Sequence, residues 1–220
     1  MTANPARDEL AAAMAALPLV AILRGVRPDE AVAIGSVLFD AGWRIVEVPL
    51  NSPEPLLSIA ALASALPDAL VGAGTVLSAR EVREVHAAGA RLVVAPSFNV
   101  DVVREAVRLG MVALPGVLSA SEAFAALAEG AAGLKLFPAE MIPPAAVKAL
   151  RAVLEPATIV MPVGGITLEN MAAYRAAGAS GFGVGSSLYK PGSDTASVGA
   201  AARRWADAWR LHASPDATVA

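Results

Sequence analysis

The chain of 220 residues contains no cysteine and only two histidines, His86 and His212. The first absence excludes disulfides, thiolate nucleophiles and zinc–thiolate sites, and it fits a reducing compartment. The second excludes a histidine cluster, because His86 falls in the helical pattern "EVREVHAAG" and His212 in the tail; no metal is expected. Charge is also scarce. Charged residues make up 17% and the formal net charge is -3, so there is no basic patch and no nucleic-acid partner is expected. Low charge together with 56% hydrophobic residues argues against disorder and for a sizeable core. No apolar run approaches the roughly 18 residues of a membrane helix, so no membrane partner is expected. The start "MTANPARDELAAAMAALP" lacks the basic opening and long apolar core of a signal peptide and reads as a short alanine-rich helix. These absences point to a soluble cytoplasmic protein.

What is present is a repeated local pattern. In "DAGWRIVEV", "AAGARLVVA", "RLGMVALPG", "AEGAAGLKLF" and "AAGASGFGVG", a helical stretch stops at Gly42, Gly89, Gly110, Gly130 or Gly178. Glycine suits the left-handed position that ends a helix. A short β-prone run follows each time, and "LVAIL", "ALVGAG" and "TIVMPV" bring the number of runs to eight. Helix-start residues stand between the runs: Pro28–Asp29–Glu30, Ser52–Pro53–Glu54, Ser78, Asn99, Ser119 and Thr167. Continuously apolar runs alternating with helices are the mark of parallel strands covered on both sides. An open Rossmann-like sheet is the competing reading, but it usually has fewer strands. The chain is therefore expected to form one (β/α)8 barrel domain over residues 1–220 with an extra N-terminal helix. The polar tail 212–220 is expected to fray.

Lysine is scarce too. Of the three in the chain, Lys148 lies in the helical "AVKALRAVL" and Lys190 in the turn "LYKPG", but Lys135 interrupts an apolar strand, "GLKLF". Alternation turns Leu134 and Leu136 toward the helices and Lys135 into the barrel, and it places Glu47 of "RIVEVPLNSP" inside in the same way. One reading of the two is a buried ion pair, of doubtful value to stability. The other is chemistry: an amine that loses its proton near neutral pH attacks a carbonyl to form a Schiff base, and a carboxylate beside it moves protons. The glycines of "PVGGIT" and "GFGVGSSLY" end consecutive strands, and each is expected to open a helix. Two helix N-termini with glycine would cradle a phosphate, although each glycine pair alone could be a tight turn. Thr75 in "VGAGTV" could hydrogen-bond a carboxylate, and Arg24 in "ILRG" could anchor a carboxylate or hydroxyl, or stand idle on the surface.

"VGAGTV", "LKLFPAE" and "PVGGIT", spaced around an inward Glu47, resemble the class I aldolases of 2-keto-3-deoxy-6-phosphosugar acids over residues 17–190. The gluconate branch of that family usually has "E-V-T-L-R-T" and "P-T-G-G". This chain has "EVPLNSP" with Asn51 and "PVGG" with Val163, and with "AILRG" and "LYKPG" it looks like the 2-dehydro-3-deoxy-6-phosphogalactonate aldolases. The resemblance implies Lys135 as Schiff-base former and Glu47 as proton-transfer residue. It implies Arg24 and Thr75 as binders of the pyruvate half, Gly165, Gly185 and Ser186 as phosphate binders, and Val163 and Asn51 as specificity positions. It further implies a phosphorylated keto-deoxy sugar acid as substrate, no cofactor, and a homotrimer. The alternatives are the gluconate epimer as substrate, a phosphosugar epimerase or isomerase using Glu47 as base, and a non-catalytic phosphosugar-binding protein. The buried lysine argues against the last two, since neither needs an imine.

Overall fold

The computed structural model describes residues 5–211; the tail 212–220 lies outside them. Helix α1 (Pro5–Ala16) precedes an alternation of strands and helices: β1 (Leu19–Ile22), α2 (Pro28–Asp40), β2 (Ile45–Pro49), α3 (Pro55–Ala65), β3 (Leu70–Gly74), α4 (Ala79–Ala87), β4 (Leu92–Val94) and α5 (Val100–Arg108). There follow β5 (Val112–Leu114), β6 (Gly116–Val117), α6 (Ala120–Ala128), β7 (Leu134–Leu136), a 3₁₀ turn (Ala139–Met141), α7 (Pro144–Arg151), β8 (Val160–Pro162), α8 (Met171–Ala176), β9 (Phe182–Val184) and α9 (Thr195–Leu211).

Every strand pairing is parallel, in the orders β5-β4-β3-β2-β1-β9 and β6-β7-β8. A parallel bridge from Val163 to Gly183 joins β8 to β9. The other junction is Pro115, which has no N–H for the ladder, so the fifth predicted run divides there into β5 and β6. The sheet thus closes into the expected (β/α)8 barrel. The predicted helix-ending glycines behave as read: Gly42, Gly89, Gly110, Gly130 and Gly178 all have positive φ. Ser78, Asn99 and Ser119 cap α4, α5 and α6 through their side chains.

Strand alternation divides the core into two layers. Leu19, Ala21, Val46, Val48, Val71, Val93, Leu134 and Leu136 pack outward against the helices. Val20, Ile45, Leu70, Leu92, Val94, Val112, Leu114 and Met161 fill the barrel interior. Leu10 of α1 joins that inner set and, with Met14 beside it, plugs the N-terminal end, so the interior opens only toward the carboxyl ends of the strands. Trp43 Nε1 donates to the Ala202 carbonyl at 3.1 Å, fastening the start of β2 to α9. Among the described residues no helix is long and apolar enough to cross a membrane.

Candidate active site

Lys135 and Glu47 face the same interior. They border a void of about 10 Å³ whose other walls include Val20, Val94, Leu114 and Met161. Lys135 is 6% exposed and Glu47 2%. They do not form the buried ion pair that was one reading of the sequence: Glu47 Oε2 has no hydrogen-bond partner. Lys135 Nζ instead stands 4.6 Å from the centroid of the Phe137 ring.

Burial without contact moves both proton affinities. Desolvation pushes the Glu47 carboxyl up to about 6, with Lys135 and then Arg24 pulling it back. Desolvation likewise holds the Lys135 ammonium below its ordinary range; Glu47 opposes this and Arg24 adds to it. Each charge is easier to neutralise than in water, which brings the proton affinities of the amine and the carboxylate closer together.

Backbone details hold this arrangement. Glu47 is in register with Gly72 of β3 and its carboxylate leans over Gly74; a Cβ on residue 74 would overlap it. Thr75 follows with φ of +59°, a left-handed conformation that strains a β-branched residue by about 1–3 kcal/mol. It is half-buried and lines neither the void nor the cleft above it.

That cleft, about 300 Å³, is lined by Arg24, Phe137, Val163, Gly165, Gly185 and Ser186 among others. Val163, with Ile22 and Gly183, borders both spaces and so forms the step between them. Gly164 and Gly165 are successive left-handed residues, which turns their amides to one side. A Cβ on either would meet the side chain of Glu140 from the 3₁₀ turn. A helix is expected to open directly behind each glycine pair, and in the structure neither does. Behind Gly185 there is one turn, with Leu188 N and Tyr189 N donating to its carbonyl at 2.8 and 3.0 Å. Pro191 stops it from continuing as a helix. Behind Gly165, reciprocal hydrogen bonds join Thr167 and Asn170 at 2.9 and 3.3 Å, and α8 begins only at Met171. This side of the cleft is therefore lined by loop backbone and by Ser186 and Ser187.

Arg24 is exposed, and its Nη1 donates to Asn51 Oδ1 at 2.5 Å. Beside it Gly25 N donates to Ser52 Oγ at 2.9 Å. Ser52, predicted to start a helix, therefore ties two loops together, and α3 begins at Pro55. Asn51 does not line the cleft; it reaches the site through Arg24. Sequence reasoning missed Phe137 and Glu140. The signal for Phe137 was its two-residue spacing from Lys135, which puts both side chains on one face of the strand.

The family model for KDPG and KHG aldolase matches residues 10–199, a span that holds every site residue above. The 2-dehydro-3-deoxy-6-phosphogalactonate aldolase of Escherichia coli (strain K12) is 45% identical over 195 residues, covering 88% of this chain and 95% of its own length. The chain belongs to the KDPG and KHG aldolase family. A solved native KDPGal structure superposes with a TM-score of 0.87 at 45% identity, covering 89% of this chain and 96% of its own. The KDPG aldolase of Legionella pneumophila, solved with pyruvate captured as a covalent carbinolamine intermediate, superposes at 0.76 with 27% identity, covering 93% and 98%.

The pH dependence of stability tests the electrostatics of this aldolase-family site. Below about pH 4.5 Glu47 is protonated in the folded and the unfolded chain alike, and no charge is buried. Above about pH 6 it is charged in both, and the folded state bears a cost of about 2 kcal/mol. The stability that the neutral carboxyl keeps is thus lost as pH rises through that window. Glu47→Gln, with no charge to bury, should gain on the parent across the window and level off at about 2 kcal/mol. Urea unfolding of both proteins between about pH 4 and 7 measures this, and a difference independent of pH would contradict it.

Proposed function

We propose that this chain is a class I aldolase that cleaves 2-dehydro-3-deoxy-6-phospho-D-galactonate to pyruvate and D-glyceraldehyde 3-phosphate. The observation that carries the reading is the pairing of Lys135 and Glu47, buried without touching, directly beneath a glycine-rich cleft. The names of the 45% identical relatives supply the substrate.

In this reading the cleft takes the phosphate against Gly165, Gly185 and Ser186, and Arg24 holds the carboxylate, while Thr75, outside both spaces, shapes the end of β3. Lys135, as its free amine, attacks the C2 ketone; the carbinolamine takes up a proton, loses water and becomes an iminium. Glu47 accepts the proton of the C4 hydroxyl, directly or through a water. The C3–C4 bond breaks, its electron pair flows into the iminium to give an enamine, and C4 leaves as the aldehyde of glyceraldehyde 3-phosphate. Protonation at C3 and hydrolysis then return pyruvate and free Lys135. The iminium is the electron sink for the step.

The resemblance also carries the homotrimer, and an apolar groove of about 300 Å³ between α6 and α7 supports self-association, with Leu118 and Val153 exposed along it. Light scattering should return three times the 22.2 kDa chain mass; a monomer mass would remove the trimer and leave the chemistry untouched. A phosphorylated substrate and a cysteine-free chain fit action in the cytoplasm.

The substrate assignment is tested by which C4 epimer is cleaved. Val163, at the step between cleft and void, replaces the threonine of the gluconate branch and can make no hydrogen bond to a C4 hydroxyl. One such bond at a partly wet site is worth about 1–1.5 kcal/mol, roughly tenfold. Lactate-dehydrogenase-coupled assays should therefore give a kcat/KM favouring the galactonate epimer by about one to two orders of magnitude. Val163→Thr should move the ratio toward the gluconate epimer. Equal rates in the parent would overturn the branch assignment, and no pyruvate from either epimer would overturn the aldolase.

A further inference from the structure

The nitrogen of Lys135 has an unusual surrounding for a buried cation. It makes no hydrogen bond or ion pair among the described residues, and the group its ammonium meets is the face of Phe137, 4.6 Å from nitrogen to ring centroid. That is inside the roughly 6 Å at which a cation is attracted by a ring quadrupole. The charged groups facing it are Glu47 from β2, which favours the cation, and Arg24 from the loop after β1, which opposes it. Phe137 lines the floor of the cleft while Lys135 lies in the void beneath, so the ring stands where substrate would meet the nitrogen.

We propose that Phe137 is the electrostatic partner of the positive charge on the Lys135 nitrogen, first as ammonium and then as iminium. A carboxylate in contact would hold the ammonium and compete for the proton that Glu47 must move. An aromatic face attracts positive charge and accepts no proton, so it serves both cationic forms without entering the proton transfers. In the step from neutral carbinolamine to iminium, a proton is taken up, water leaves and the nitrogen becomes cationic; the ring favours the iminium side. The iminium part of this proposal rests on the Schiff-base reading, and the ammonium part does not.

The test places phenylalanine carrying none, one, two or three ring fluorines at position 137 alone. Fluorination drains the negative face and barely changes the shape. Lysine labelled with ¹³C at Cε gives three titrating signals, one for each of Lys135, Lys148 and Lys190, with Lys135 assigned by its loss in Lys135→Met. The Lys135 midpoint should fall with each fluorine, by about half to one pH unit across the series, while Lys148 and Lys190 stay fixed. The rate of borohydride trapping at saturating pyruvate should fall about three- to tenfold in the same order. A Lys135 midpoint indifferent to fluorine overturns the proposal whatever the activity. A midpoint that steps down in a protein never trapped by borohydride would sustain the ring's role with the ammonium and overturn the Schiff base instead.

Discussion

Taking a carboxylate and an ammonium out of water costs several kcal/mol each, and contact between them is the usual compensation. The barrel of this chain holds one of each, Glu47 and Lys135, and keeps them from touching. Both charges are consequently poorly stabilised, the carboxyl drawn upward and the ammonium downward in proton affinity. A salt bridge would have locked the two in their charged forms. Separation leaves a nitrogen able to act as an amine and a carboxylate able to take and return a proton.

Much of the neighbouring structure serves to keep that separation. Gly74 leaves room for the Glu47 carboxylate over the end of β3. Phe137 occupies the side of Lys135 toward the cleft. Leu10 of α1 closes the far end of the barrel, so the polar groups meet solvent only through the cleft. There the backbone is irregular where an anion would approach, with two successive left-handed glycines and a single turn at Gly185. The loops after β1 and β2 are stapled by Arg24 to Asn51 and by Gly25 to Ser52, which gives the one exposed guanidinium of the cleft a fixed direction.

The barrel was legible because its signals are local. A glycine that must be left-handed ends each of five helices, and two-residue alternation alone put Glu47 and Lys135 inside. What stayed hidden depends on contacts between distant segments or on residues with two uses. Serine, threonine and asparagine open helices and close turns equally well, so Thr167 and Ser52 read as helix starts; the Thr167–Asn170 pair and the Gly25 N–H decide otherwise. Asn51 is expected as a specificity position, but its partner Arg24 comes from another strand end, and no spacing within one loop shows that pairing. Glu140 ends the segment "LKLFPAE", yet its place beneath Gly164 and Gly165 follows only from how the 3₁₀ turn folds back.

The central claim is that Lys135, alone among three lysines, is the amine that reacts. Intact mass followed by peptide mapping, after borohydride reduction in the presence of pyruvate, tests it most directly. The account predicts one reduced pyruvate adduct per chain, confined to the peptide holding Lys135 and abolished in a folded Lys135→Met variant. An adduct on Lys148 or Lys190, or a chain that remains unmodified, would contradict it.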